Sequence, residues 1–357
     1  MKRMIPSRPS QQRPRQSMST SRLLAGALAV TCLIGLAACD DEPIPGGGGG
    51  GGGGTTSLKA CQVGDMGPCG SFRTSEGVTL QLGRYGAMVE QNVGTGFANQ
   101  AVDGGDLGCG IFGALFAQDA ATTARVLDIR GLNLNLYTVY RPANMGSGEK
   151  FPVITWGNGT CAKPEGYGAL LRFIASHGYI VVAANTRNVG VGSPPPMRKA
   201  LNFIFAANQD PSSPYFGKVD TNRVGAAGHS QGGMATAAAA GDVRVKSVIL
   251  YNGGTSANKP FLAISGDRDL MGGVAGYKTG VARAPKAAYL FYHKIPGNGA
   301  IDGHLTLMTQ PERLADASVQ WFNLTLKNDA AAREWFVGPS CKLCNQAANF
   351  EFGQKGL

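Results

Sequence analysis

Short apolar runs alternate with helix-like stretches between residues 132 and 326, and this alternation limits the possible folds more than any other feature. Most of the runs carry β-branched residues and indicate buried strands. They are Leu132–Tyr140, Phe151–Trp156, Tyr179–Ala184, Val224–Ala227, Val245–Tyr251, Phe261–Ser265 and Ala288–Ile295. The helix-like stretches are Tyr167–Ser176, Met197–Asn208, Gln231–Ala240 and Pro311–Leu326. The sequence therefore predicts an α/β fold, with a mostly parallel sheet and helices on both faces.

No linker divides the chain after residue 60, so we expect residues 61–357 to form one large domain. Residues 61–125 are glycine-rich and lack a clear period, which indicates an irregular lead-in. In open parallel sheets, ligands bind beyond the carboxyl ends of the strands. The loops that follow the apolar runs are therefore where chemistry is expected.

The first residues are typical of an export signal. A basic region extends to Arg22, and the apolar segment Leu23–Ala38 that follows is 16 residues long. This is short of the roughly 20 residues that span a bilayer, and it suits the apolar region of a signal peptide. The segment ends in Leu36-Ala37-Ala38-Cys39, which resembles the lipobox of bacterial lipoproteins. The sequence predicts a signal over residues 1–38 and lipidation of Cys39; an ordinary signal cleaved near Ala38 is the alternative.

Nine consecutive glycines, Gly46–Gly54, follow that cysteine. A glycine run behaves as a flexible coil, so residues 39–60 are expected to form a tether. A lipid on Cys39 would attach the protein to a bacterial membrane without spanning it. We therefore expect export, to the periplasmic or cell-surface side.

The formal net charge of +10 would suggest a nucleic-acid partner. However, residues 1–38 hold six of the 33 Lys and Arg residues and none of the 23 Asp and Glu residues. The rest of the chain therefore has a formal charge of only +4. It carries no basic cluster interleaved with aromatic residues, which argues against nucleic-acid binding.

Six cysteines remain after Cys32 and Cys39 are set aside: Cys61, Cys69, Cys109, Cys161, Cys341 and Cys344. An even number in an exported chain predicts up to three disulfides, whose pairing the sequence leaves open. The last two have the spacing of a zinc or redox site. Since no second pair of this kind exists, we interpret them as two unrelated half-cystines and expect no metal.

The segment Gly228-His229-Ser230-Gln231-Gly232 matches G-x-S-x-G, and it lies between a predicted strand and a predicted helix. In that setting the motif forms a sharp turn that exposes the serine hydroxyl as a nucleophile. The sequence therefore predicts that Ser230 is catalytic; a purely structural turn is the alternative.

A serine nucleophile needs a base, usually histidine, and the chain has four. His229 adjoins the serine, His177 resembles a helix C-cap, and His293 belongs to a predicted strand. His304 remains, in a polar loop after the last predicted strand, and is predicted to be the base.

The base needs a carboxylate that fixes its tautomer. We favour Asp269, which follows the strand Phe261–Ser265, over Asp267 and Asp302. The order Ser, Asp, His along the chain is that of α/β-hydrolases. The backbone N–H groups of Gln231 and Thr160 are the predicted donors of the oxyanion hole.

With these motifs the chain resembles bacterial serine esterases of the α/β-hydrolase superfamily. It is most similar to the secreted cutinase and polyester hydrolase (PET hydrolase-like) and dienelactone-hydrolase-like branch. The resemblance covers about Leu132 to Cys344, and the matching segments are Trp156–Thr160, Phe173–Tyr179, Val219–Gly233, Gly266–Asp269, His304 and the tail Leu326–Cys344. It implies an α/β-hydrolase fold, no cofactor, and hydrolysis of carboxylic esters, small or polymeric, through an acyl-enzyme.

The chain departs from that family in two places. Thr160 stands where cutinases place an aromatic residue, and the loop at Tyr251-Asn252-Gly253-Gly254 is shortened and lacks their tryptophan. Tyr251 is then the candidate substrate contact.

An amidase, lactonase or acyltransferase would use the same machinery, and an inactive surface binding module is a further alternative. The expected form is a monomer.

Overall fold

A nine-stranded sheet runs through the described part of the chain. Its strands are β4 Met88–Val93, β5 Tyr137–Arg141, β6 Phe151–Gly157, β7 Ile180–Ala184, β8 Val219–His229, β9 Val245–Tyr251, β10 Phe261–Gly266, β11 Ala287–Tyr292 and β12 Phe350–Lys355. They lie in the order β12-β11-β10-β9-β8-β6-β7-β5-β4. Strands β7, β6, β8, β9, β10 and β11 are parallel, and antiparallel neighbours flank them at both edges. The predicted α/β fold with a mostly parallel sheet is confirmed.

This computed structural model describes residues 58–62, 64–74, 77–94, 136–190, 195–269, 273–295 and 302–357. All of them belong to one compact unit, Thr55–Leu357. The predicted signal peptide, Cys39 and the glycine run lie outside the described residues.

Seven helices accompany the sheet in the described part of the chain. They are α1 Gly168–Ser176, α2 Pro196–Ala207, α3 Gln231–Ala239, α4 Val274–Arg283, α5 Thr306–Thr309, α6 Ala315–Leu326 and α7 Ala330–Arg333. One face of the sheet packs in an apolar cluster with α1 and α6, and the other packs with α2 and α4. Within the described ranges, no helix has the length and apolar character needed to cross a membrane.

The six parallel strands lie close to their predicted positions because they are buried on both faces. β6, β7 and β10 are buried at every residue, which is why they stand out as continuous apolar runs. The predicted helix Pro311–Leu326 is divided in the structure. A 3₁₀ turn at Pro311–Arg313 precedes α6, since Leu314 has the non-helical angles φ −128° and ψ −10°.

The glycine-rich lead-in contains more structure than the sequence indicated. Its described part forms β4 and a three-stranded sheet of β1 Ala60–Cys61, β2 Ser71–Arg73 and β3 Thr79–Gln81. A disulfide joins Cys61, in β1, to Cys69. Strands of two or three residues are too short to show a period, so the interpretation as irregular was wrong here.

The cysteines of the tail also correct a prediction. Cys341 and Cys344 form a disulfide with each other, so they are not two unrelated half-cystines. The intervening turn brings their Cα atoms to 5.3 Å, within the range that a disulfide requires. Cys161 is also disulfide-bonded.

Candidate active site

The chain reverses its direction of strand addition between β6 and β8. From β6 it continues to β7 on one side, and then returns to place β8 on the other side of β6. Gly157 at the end of β6 pairs with Gly228 near the end of β8, so the loops after these strands begin side by side. Such a switch point opens a crevice at the carboxyl edge of the sheet, where open α/β sheets bind their ligands.

Ser230 occupies the sharp turn between β8 and α3. Its backbone angles are φ 56° and ψ −117°, a conformation that L-residues rarely adopt. Hydrogen bonds hold the turn: the Ser230 N–H donates to the carbonyl of Tyr251 at 2.9 Å, and its own carbonyl accepts from the N–H of Gly233 at 2.9 Å. The strain is thus balanced by fixed backbone partners, and this is the geometry expected of a nucleophile turn.

Glycines allow the two loops to come into contact. A Cβ on Gly232 would lie 2.0 Å from the carbonyl oxygen of Gly157, and one on Gly228 would lie 2.4 Å from the carbonyl oxygen of Gly232. Both distances are far below a normal contact, so only glycine fits at these positions. The close approach sets the start of α3 directly against the loop after β6.

His304 and Asp269 lie together at the same edge. The His304 Nδ1–H donates to Oδ1 of Asp269 at 2.9 Å. The other carboxylate oxygen, Oδ2, accepts from the Asn252 amide at 2.9 Å and from the Ser265 hydroxyl at 2.7 Å. The histidine tautomer is thereby fixed with its Nε2 free to accept a proton.

The Asp269 side chain has no exposed surface. Burial by itself would raise the pKa of Asp269, but the hydrogen bond and charge of His304, with the bonds from Asn252 and Ser265, hold this pKa below its ordinary value. Asp269 therefore remains ionised beside His304.

The two alternative carboxylates have other partners. Asp267 accepts from the Lys294 N–H at 3.0 Å and lies 3.5 Å from His293 Nδ1. Asp302 lies 3.7 Å from Arg268. Asp269 is thus the one of the three that the structure places against His304.

His229 links the serine turn to the His304 loop. Its Nε2–H donates to the His304 carbonyl at 2.8 Å, and the two rings lie 4.7 Å apart between centroids. The Ser230 hydroxyl and the His304 ring, both described, are not directly hydrogen-bonded to each other. Such contacts are often long without substrate and tighten when it binds.

The remaining histidines lie elsewhere. His177 caps α1 and bonds the Phe173 carbonyl at 2.8 Å, as expected for a C-cap residue. His293 follows β11 and faces Asp267.

The two predicted oxyanion donors have no acceptor within the described part of the chain. Neither the Thr160 N–H nor the Gln231 N–H donates to another described residue, whereas Cys161 and Gly159 beside Thr160 both donate. Thr160 follows β6 and Gln231 follows the nucleophile turn, so both lie at the switch point. Two donors at that edge that bond no described residue suit an oxygen that gains charge during a reaction.

Tyr251 does not lie where a substrate could contact it, and this prediction was wrong. Its side chain has 0% exposure, its ring lies 5.7 Å from Trp156, and its hydroxyl donates to Ser318 at 2.7 Å. As the last residue of β9 it points into the apolar face that packs on α6. Burial also raises the pKa of Tyr251, so the phenol remains neutral.

Sequence reasoning missed Asn252, which organises the acid. With φ 50° it lies in the left-handed region that asparagine tolerates, and its amide donates to Asp269 and to the Gly303 carbonyl at 3.1 Å. The available signal was an Asn-Gly-Gly sequence directly after a strand. Within the described ranges, no cluster of three or more His, Cys, Asp or Glu side chains is arranged to hold a metal ion.

Acidification is expected to destabilise the fold through His229. Burial, followed by the charge of His304, lowers the pKa of His229 from 6.5 to about 3. Between these two values the unfolded chain binds a proton on this residue and the folded chain does not, so the free energy of unfolding falls as the pH decreases. Urea unfolding of the wild type and His229→Gln across this window should show a smaller pH slope in the variant. Equal slopes in the two proteins would contradict the lowered pKa of His229.

Comparison with known families identifies the family to which the chain is similar. A family model described as PET hydrolase-like matches residues 118–346, well over half of the chain. The matched range includes the serine turn, Asp269, His304 and the loop with Thr160. Among curated proteins, none matches the chain significantly.

Proposed function

Because the chain belongs to the PET hydrolase-like family of α/β-hydrolases, we propose that it is a serine carboxylic-ester hydrolase. Ser230 is the nucleophile, His304 the general base and Asp269 the carboxylate that orients it. The observation that carries the proposal is the 2.9 Å bond between His304 and Asp269 at the edge where the strained Ser230 turn meets the loop after β6.

Acylation begins when Ser230 Oγ attacks the ester carbonyl carbon and His304 Nε2 takes the hydroxyl proton. The ionised Asp269 stabilises the imidazolium that forms. The N–H groups of Thr160 and Gln231 bind the tetrahedral oxyanion, at roughly 3 kcal/mol for each well-aimed donor. When the intermediate collapses, the C–O bond breaks, the alcohol leaves with the proton from His304, and the acyl group remains on Ser230.

Deacylation repeats these steps with water as the nucleophile. His304 takes a proton from the water, which attacks the acyl carbon, and then returns a proton to Ser230 as the acid leaves. The proposal needs no group beyond this chain and water.

A substrate panel tests the reaction class. We expect the full chain to hydrolyse p-nitrophenyl butyrate faster than p-nitrophenyl dodecanoate, because Thr160 supplies no aromatic surface for a long acyl chain. Butyryl p-nitroanilide, the matched amide, should remain uncleaved. Amorphous polyester film is included in the panel to test for polymer hydrolysis. Faster cleavage of the anilide than of the butyrate ester would contradict an esterase.

We also propose that the protein is exported and held at a membrane by a lipid on Cys39, through the tether of residues 39–60. The disulfides Cys61–Cys69 and Cys341–Cys344 support this, because disulfides persist in oxidising compartments outside the cytosol.

A further inference from the structure

Tyr167 lies beside the catalytic machinery but takes no part in the chemistry described above. It ends the 3₁₀ turn Pro164–Tyr167 that follows the loop after β6, and its side chain has 0% exposure. Its hydroxyl accepts from the Gly159 N–H at 2.9 Å and lies 3.1 Å from Nδ1 of His229. Both partners are immediate neighbours of residues of the proposed site: Gly159 precedes Thr160, and His229 precedes Ser230.

The direction of each hydrogen bond in this group is fixed. The His304 carbonyl can only accept, so Nε2 of His229 carries the proton in its 2.8 Å bond. A neutral imidazole then has a bare Nδ1, which accepts from the Tyr167 hydroxyl. The Tyr167 oxygen accepts in turn from Gly159. One directed chain therefore runs from the Gly159 N–H through Tyr167 and His229 to the carbonyl of His304.

This chain joins three segments that are far apart in sequence. They are the oxyanion loop after β6, the nucleophile turn, and the loop that carries the base. The fit around it is close, since a Cβ on Gly159 would lie 2.9 Å from Nδ1 of His229 and 3.1 Å from the Tyr167 hydroxyl. Buried hydrogen bonds fix the distances between the groups they join more closely than apolar contacts alone do.

We propose that Tyr167 and His229 form a positioning relay, which holds the oxyanion donor at Thr160 and the base His304 in register with Ser230. The inference rests on the proposed function. Neither residue touches substrate; they act by placing the groups that do. Loss of the relay should therefore weaken stabilisation of the transition state and leave substrate binding nearly unchanged.

Tyr167→Phe removes the central hydroxyl and keeps the ring. We expect kcat for p-nitrophenyl butyrate to fall by about 10- to 100-fold, because a small displacement of catalytic groups causes a loss of this size. KM should change by less than about twofold. The matched control is Tyr179→Phe. Tyr179 is also fully buried, and its hydroxyl donates to Asn323 on α6 at 2.8 Å, remote from the serine turn. The control should retain the wild-type kcat.

His229→Gln tests whether the two residues act as one unit. Glutamine keeps a donor at the ε position for the His304 carbonyl and lacks the ring nitrogen Nδ1 that accepts from Tyr167. It breaks the same link as Tyr167→Phe, so the double variant should be no slower than the slower single variant. Each rate is divided by the concentration of active enzyme, which is measured by titration with a fluorophosphonate. This normalisation excludes unfolded protein from the comparison.

Two results would overturn the relay: a kcat for Tyr167→Phe equal to that of Tyr179→Phe, or losses that multiply in the double variant. A third measurement needs no activity. ¹⁵N-histidine NMR at neutral pH should show the Nε2–H tautomer for His229, and the Nδ1–H tautomer would refute the chain. If Ser230→Ala kept the wild-type rate, the proposed function would fail, and the NMR result would still decide the hydrogen-bond direction.

Discussion

Ser230→Ala is expected to lower kcat/KM for p-nitrophenyl butyrate by at least about 10⁴-fold, since it removes the atom that forms the acyl-enzyme. The free energy of unfolding should change by less than about 1 kcal/mol, because the Ser230 hydroxyl makes no hydrogen bond to another described residue and alanine must adopt the same strained angles. Initial rates and urea unfolding curves measure the two quantities on one preparation.

Ser212→Ala is the matched control for this change. Ser212 is exposed and lies between α2 and β8, at the opposite edge of the sheet from the nucleophile turn. Its loss should leave kcat/KM unchanged. If Ser230→Ala retained more than a tenth of the wild-type activity, Ser230 would not be the nucleophile.

Asp269→Asn carries the second-largest expected effect, a loss of about 10³- to 10⁴-fold in kcat. The substitution preserves shape but removes the charge that stabilises the imidazolium. An amide also offers a donor to Nδ1, which favours the wrong tautomer of His304. The measurement is kcat for the butyrate ester across the pH range in which the wild type is active.

Asp267→Asn, two residues away, distinguishes between the candidate acids. Its carboxylate bonds the Lys294 N–H and faces His293, which lies outside the proposed triad. We expect less than about a threefold change in kcat from this variant, in line with a surface substitution. A larger loss in Asp267→Asn than in Asp269→Asn would assign the acid to Asp267 instead.

The central sheet and the serine turn could be predicted from the sequence because their local signals agree with the fold. β6 and β10 are uniformly apolar since both faces of the sheet are covered, and the G-x-S-x-G segment lies between a strand and a helix, as the turn requires. His304 was predicted to be the base by elimination of the other three histidines. These inferences needed no knowledge of distant contacts.

The remaining features depend on partners remote in sequence. The edge strand β12 was not predicted, because its residues Phe350–Lys355 mix apolar and polar types and form a strand only by pairing with β11. The direction of the Tyr251 side chain is set by Ser318 and Trp156, which no local pattern reveals. The link from Tyr167 to His229 spans 62 positions and likewise appears only in the folded chain.

Covalent labelling tests the catalytic assignment most directly. A fluorophosphonate reacts with a serine that a neighbouring base activates, and digestion followed by mass spectrometry locates the adduct. We predict one adduct, on Ser230 in the wild type, formed at a strongly reduced rate in His304→Ala and at a normal rate in Ser212→Ala. An unlabelled wild type, an adduct on another residue, or equal labelling rates in wild type and His304→Ala would contradict a nucleophile at Ser230 activated by His304.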